Sequence, residues 1–367
     1  MPLYMDIHFV GAISVEDTRK AHLADLAVQE KYGVKYHQYW FNEKAGTVYC
    51  LMEGPDEESC AATHREANGI TACQIVEVEG GMYDIFMGEN QQVDHGLVKH
   101  EDGRIDTGYR YILTLDIIAK TNSLPTIDFG HLKLPKLQKN TALQIIDDCE
   151  GKEVRTASFD NIVAVFETPE RVLRCAHEIQ LTFLNYNCSS PSVNDEVLFQ
   201  MGISVGQPLT EKDGFFEQVI KWSRRMCLIA GDKEIIASRL FEELCDTNEA
   251  VKNHICVRTI TPSDQAFTEL LLDITDQKSS DFDFSVDFLS KEIGISKPQL
   301  YRKITALTGR SPVNFIRDIR LHKALSLLKE KKLNISEIAL EVGYNNPSYF
   351  SKCFQDKFGI NPSKVIV

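Results

Sequence analysis

Residues 286–309 read VDFLSKEIGISKPQLYRKITALTG, and their punctuation sets two short helices around a tight turn. Val286–Ile293 makes the first helix and Gly294-Ile295-Ser296 the turn. Ser296 is placed to cap the free amides of the second helix, which Gly309 ends. In that helix Leu300, Ile304 and Leu307 recur at i, i+4 and i+7, a core stripe, and Pro298, Tyr301, Arg302 and Thr305 fall on the opposite face. The design then repeats. Ile335–Val342 turns Ile338, Ala339 and Val342 inward, Gly343 breaks the helix, and Pro347 opens the next, where Phe350, Phe354 and Phe358 face the core. Between the two units, 312–329 carries Leu321, Ala324, Leu325 and Leu328 on one stripe, as a spacer helix would. Any αα-hairpin imitates one helix-turn-helix. Two in tandem, each with an outward basic residue on its second helix, point to nucleic acid.

The stretches GRSPVNFIRDIRLHKALSLL and ISEIALEVGYNNPSYFSKCFQDKFGINPSK resemble the C-terminal DNA-binding domain of the AraC/XylS family, a likeness running from Phe284 to Lys364. The resemblance implies two recognition helices entering successive major grooves on one side of double-stranded DNA. Pro298, Tyr301 and Arg302 in the first, and Ser348, Tyr349 and Lys352 in the second, stand at the family's outward positions. Arg302 suits a bidentate pair with guanine. Lys297, Lys303 and Arg310 are expected on phosphate, with Asn345 and Asn346 beside the backbone where the second recognition helix starts. Charge agrees: residues 285–367 hold fourteen Lys and Arg against seven Asp and Glu, a net of +7, which leaves −20 to the rest of a chain of formal charge −13. A basic module on an acidic body confines phosphate contact to one part.

A length of 367 residues accommodates two or three cores. No run approaches a membrane span, and the start MPLYMDIH lacks the basic and apolar regions of a signal peptide. Ten scattered cysteines without a CxxC pair predict reduced thiols and a cytoplasmic setting. Three folded parts are expected: 1–88, 109–247 and 262–367, with a polar connector following Met87 and a helix Asp264–Asp276 capped by Ser263.

In the first part, MDIHFV, VKYHQYWF, TVYCLME and ACQIVEVE read as strands, and SVEDTRKAHLADLAVQEKY and DEESCAATHREAN as helices. The first helix, starting at Ser14, is expected to turn Leu23, Leu26 and Ala27 inward. The order βαββαβ predicts an α+β ferredoxin-like sandwich whose open sheet face invites a second copy. His8, His22, His37, Cys50 and His64 supply imidazole and thiolate, ligands for zinc, nickel or copper, though a histidine taken alone is more often an ordinary surface or edge residue. The stretch from MDIHFV to THREANG is similar to a family of small ferredoxin-like proteins reported as nickel-binding. Carried over by position, the resemblance implies His8, His22, Asp25, Cys50 and His64 as the metal site. Asn68 stands where relatives often have a second helical histidine.

The middle part begins with an apolar strand, YILTLDII, interrupted by Asp116; VRTASFDNIVAVF follows as a hairpin turning at Asp160-Asn161. With ERVLRCAHEIQLTFLNY, FQMGISVG and VIKWSRRMCLIAGDKEIIAS, this order resembles a class III nucleotide cyclase domain, an α/β fold on a ferredoxin-like core. The likeness implies Asp116 and Asp160, 44 residues apart, as a pair for Mg-nucleotide and Arg225 as the stabiliser of transition-state charge. Two departures from the family, Phe159 in the Gly-Asp-Gly turn and Lys221 in place of the helical asparagine, favour a degenerate domain for sensing or dimerisation over an active cyclase. Either aspartate also suits a purely structural place. The expected whole is a homodimeric, all-α tandem helix-turn-helix regulator with two upstream domains, controlled by a metal such as nickel or by a nucleotide. The alternative is an active cyclase fused to a DNA-binding domain.

Overall fold

In the computed structural model, which describes residues 1–69, 71–88, 92–121, 130–155, 161–189, 195–210, 212–245 and 257–365, the chain opens with β1 (Leu3–Phe9), α1 (Val15–Val28), β2 (Lys35–Asn42), β3 (Thr47–Glu53), α2 (Glu57–Asn68) and β4 (Gln74–Glu77). These strands pair antiparallel in the order β4-β1-β3-β2, the expected ferredoxin-like sandwich. Ser14 and Asp56 cap α1 and α2 by accepting from the amides of Asp17 and Ser59. Next come α3 (Gly80–Met87) and a hairpin, β5 (Gln92–Asp94) and β6 (Leu97–Lys99), whose β6 lies parallel to β2. The stretch expected as a polar connector is therefore part of the first sheet. Leu97 and Val98 are buried there, enough apolar surface to hold so short a strand on the edge.

The middle part contains β7 (Arg110–Thr121), α4 (Gly130–Asp148), β8 (Lys152–Glu153), β9 (Ile162–Phe166), α5 (Pro169–Ser189) and β10 (Asp195–Gly206). Its strand order, β10-β7-β9-β8, repeats the pattern of the first sheet. Beyond β10 the sheet is extended in parallel by β11 (Glu234–Ala237) and β12 (Val257–Thr259), with α6 (Glu217–Ile229) and α7 (Arg239–Cys245) between. Alternation along β7 sends Tyr111, Leu113 and Leu115 into one core with residues of α4 and α5. Ile112, Thr114 and Asp116 lie on the other face. There Gly202 lets α6 press onto β10, since a Cβ would stand 2.0 Å from the Ser223 carbonyl oxygen. The hydroxyls of Thr114 and Ser223 share a hydrogen bond of 2.7 Å.

The open face of the first sheet is not available to a second copy. Met5, Ile7, Trp40, Tyr49 and Leu51 join Ile112, Val163 and Val165 of the second sheet in one buried cluster. Two similar sandwiches thus cover each other's apolar faces within one chain, and the expected dimer contact through that face is used internally.

The C-terminal part runs α8 (Pro262–Lys278), α9 (Val286–Ile293), α10 (Lys297–Thr308), α11 (Pro312–Glu330), α12 (Ile335–Glu341) and α13 (Pro347–Phe358). Helix α8 begins earlier than expected and is capped by Thr261, not Ser263. Ser296 caps α10 in a reciprocal capping box with Gln299, and Gly309 ends it. Leu300, Ile304 and Leu307 pack with Leu271 of α8 and Met226 and Ile229 of α6, so the first unit shares a core with the middle domain. Ile338, Ala339, Val342, Phe350 and Phe354 close a separate core with Leu321, Ala324 and Leu328 of α11. Among the described residues, no helix is long and apolar enough to cross a membrane.

Candidate metal centre and DNA interface

Helix α1 carries its polarity the wrong way round for a simple amphipathic helix. It buries Thr18, His22 and Asp25, whereas Leu23 is 49% exposed. The inward expectation for Leu23 and Ala27 fails because the helix covers a polar site. Alternation in β1 turns Asp6 and His8 toward the helices, and the β1–β3 register sets Cys50 opposite Asp6. His64 reaches in from α2. One donor atom from each of Asp6, His8, Cys50 and His64 lies within 4.8 Å of the others, and all four residues are buried.

The contacts inside this cluster are short and polar. His64 Nε2 lies 2.6 Å from Asp6 Oδ2, and His64 Nδ1 lies 3.1 Å from Asp25 Oδ1. The Cys50 amide donates to Asp6 Oδ1 at 3.0 Å. His8 Nε2 is 3.2 Å from Asp6 Oδ2. His8 Nδ1, though buried, makes no hydrogen bond. Buried polar atoms are nearly always satisfied, so an open imidazole nitrogen beside a carboxylate and a thiol fits a cation.

Electrostatics favour an ionised Asp6–His64 pair here and a neutral Cys50. Burial opposes an ionised Asp6, yet His8 and His64 outweigh it and hold the carboxyl well below its usual range. Burial likewise opposes the His64 imidazolium, but Asp6 and Asp25 push it up to about 10. Burial first, then Asp6 and Asp25, raise the Cys50 thiol well above normal.

Of the expected metal residues, His8, Cys50 and His64 meet in the cluster. Asp25 stands behind His64 as its outer partner and also accepts from Asn68 at 3.2 Å. His22 lines the same small cavity of about 40 Å³ beside Tyr39. His37 instead pairs with Glu53 at 3.0 Å. Asp6 escaped sequence reading, although its place two residues before His8 on one strand puts both on the same face.

On the DNA-binding side, Pro298, Tyr301, Arg302, Ser348, Tyr349 and Lys352 are all exposed, the tyrosines at 52% and 57%. Lys297 is exposed and pairs with Asp287 at 2.6 Å. Lys303 lies over the Phe267 ring at 4.9 Å. Asn345 is exposed, while Asn346 caps α13 by accepting from the amides of Ser348 and Tyr349. Arg310 departs from expectation. Its guanidinium donates to the carbonyls of Leu228 and Ala230 in the middle domain and faces Asp318 at 3.4 Å, so it is turned away from phosphate. Buried Asp318 also takes Lys357 of α13 at 3.1 Å, joining both helix-turn-helix units through the spacer helix.

In the middle domain the expected nucleotide residues are engaged elsewhere. Asp116 Oδ2 lies 3.8 Å from His322 Nδ1 of α11. Arg225 donates to Asp273 and Asp276 of α8. Both groups sit at the seam with the C-terminal domain, a correction to their expected place at an open nucleotide site. Asp160 lies outside the described residues.

Comparison with known proteins gives two matches along the chain. Residues 289–366 match the helix-turn-helix domain family, and residues 4–78 match the family described as nickel responsive protein SCO4226-like. The C-terminal part is an AraC-type helix-turn-helix domain and the N-terminal part an SCO4226-like domain. Histidine kinase P4 of Formosa agariphila is 41% identical over 106 residues, 29% of this chain and 8% of that protein. The HTH-type transcriptional activator RhaS of Mannheimia succiniciproducens is 33% identical over 88 residues, 23% of this chain and 33% of that protein. The chain thus spans a third or less of either relative. A solved adenylate/guanylate cyclase/hydrolase from Silicibacter pomeroyi aligns with 38% of this chain and 80% of its own, at 21% identity and a TM-score of 0.31, a likeness too slight to carry an argument.

Proposed function

For a chain with an AraC-type helix-turn-helix array at one end and a buried transition-metal donor set at the other, we propose the role of a sequence-specific transcription regulator whose operator affinity is set by a metal ion. Nickel or another divalent transition ion suits the donors. The observation that carries this reading is the buried Asp6–His8–Cys50–His64 cluster, with His8 Nδ1 open. Those four residues would hold the ion, and Asp25 would orient His64. Bound there, a divalent cation supplies the positive charge that lets Cys50 ionise. The protein supplies the rest: β1, β3 and α2 each bring at least one ligand, so occupancy ties three elements together.

The test is calorimetric titration of the reduced full-length protein with nickel, then zinc, followed by DNA affinity with and without bound metal. Linkage requires that a metal which tightens DNA binding be itself bound more tightly on DNA. Metal bound without change in DNA affinity would make the domain a store and overturn the regulatory reading. No binding would leave it a scaffold.

Base reading is tested separately. Arg302→Ala should cost about 1–3 kcal/mol on a duplex selected for tight binding and relax discrimination at one position. Competition against random DNA checks it, since equal weakening on both would assign Arg302 to phosphate.

A further inference from the structure

The SCO4226-like match ends at residue 78, and the hairpin that follows returns to the metal pocket. Gly96, in the β5–β6 turn, sits directly against His22: a Cβ at Gly96 would stand 2.3 Å from His22 Nε2. Its φ of +85° is left-handed, so both conformation and space call for glycine. The Gly96 carbonyl accepts from the Tyr39 amide at 2.7 Å, and the Tyr39 ring lies 4.8 Å from the His22 ring. His22 Nδ1 is buried without a hydrogen bond and borders the cavity that His8, Cys50 and His64 share. The ring thus borders the pocket with one nitrogen unbonded and a turn of backbone against its Nε2 edge.

The hairpin is also anchored at its far end. The Asp106 amide donates to Val98 of β6 at 3.0 Å. The Asp106 carboxylate accepts from Trp40 Nε1 at 3.2 Å and from Arg110, the first residue of β7, at 2.9 Å. Strand β7 then carries Asp116 to His322 of the spacer helix between the two helix-turn-helix units. A single run of packed backbone and polar contacts, ending in the part-buried Asp116–His322 pair, therefore joins the metal pocket to the DNA-binding array, and it leaves the pocket through Gly96.

The geometry points to the β5–β6 hairpin as the element that reports occupancy of the metal pocket to the rest of the chain, with the His22–Gly96 contact as its trigger. This rests on the metal reading above. When a cation fills the Asp6–His8–Cys50–His64 cluster, His22 shifts toward it, the support under Gly96 changes, and the displacement reaches β7 through Asp106 and Arg110.

Hydrogen exchange on the reduced full chain, with and without saturating zinc or nickel, tests this directly. Exchange across residues 92–99 and 106–112 should change together by at least about fivefold, the factor that roughly 1 kcal/mol in an opening equilibrium brings. A hairpin unchanged while calorimetry shows the metal bound overturns the proposal. Absence of any binding overturns instead the metal reading beneath it. In His22→Ala, metal should still bind, but the hairpin response and the metal-dependent change in DNA affinity should vanish; a persisting response rules out the His22–Gly96 route. Should His22→Ala not bind metal, Gly96→Ala decides. That variant keeps every donor and should bind metal, with exchange at 92–99 already raised before metal and no further change after it. A normal metal response in Gly96→Ala refutes the trigger.

Discussion

Asp106→Ala is expected to cost about 3–5 kcal/mol of stability, because it leaves a buried guanidinium without its counter-charge. Arg110 is 1% exposed and Asp106 3%. The carboxylate accepts from Arg110 at 3.0 and 2.9 Å, from Trp40 Nε1 at 3.2 Å and from the Gly108 amide at 2.8 Å. Arg110 in turn donates to the carbonyl of Phe86 at 2.6 Å. One charge pair thus pins β2, the end of α3 and the start of β7, where the two sandwiches meet. Burial opposes an ionised Asp106, but Arg110 outweighs it and holds the carboxyl below the usual range. The stabilisation is therefore present above about pH 3.9, the ordinary aspartate value, and is lost as pH falls through the lower folded value. Urea unfolding of wild type and variant measures the loss. A difference under about 1 kcal/mol would show that water or a neighbour replaces the carboxylate. The exposed Arg104–Asp102 pair serves as the control, and its removal should leave the urea midpoint unmoved.

His64→Ala is expected to lower metal affinity by more than 100-fold, beyond the roughly 10–100-fold typical when an outer partner is removed. Asp25→Asn belongs to that milder class, since Asp25 touches His64 on the nitrogen away from Asp6. The pair of variants separates ligand from support. Binding should also release protons. The metal-free His64 is pushed up to about 10, so at neutral pH an arriving ion must displace its proton, and the raised Cys50 thiol must lose its own. Apparent affinity accordingly rises with pH toward 10. Titrations in two buffers of different ionisation heat count the protons; a heat independent of buffer would contradict the protonated resting site.

The parts legible in advance were those written in local sequence. Ser296, Gln299 and Gly309 define α10 by backbone capping alone, and the stripes through Leu300 and Phe350 declare the inward faces. The βαββαβ order of the first domain follows from the same kind of reading. Helix α1 misled because its inward residues, Thr18, His22 and Asp25, are polar; a helix that covers a site rather than a core breaks the periodicity rule where function sits. Asp6 was missed for a related reason, since a lone aspartate in a strand declares itself only once its neighbours across the sheet are known.

Sequence alone determined that the chain ends in a DNA-binding array and begins with a sandwich carrying imidazole and thiol, because caps, turns and hydrophobic periods act over a few residues. Only the tertiary structure decided which groups meet. Sheet register brings Asp6 to Cys50, the returning hairpin sets Gly96 on His22, and the domain seam draws Arg310 to Leu228 and Asp116 to His322. Each of these joins residues distant in the chain through burial. The free energy that holds them belongs to packed surfaces and satisfied polar groups, which no local stretch of sequence contains.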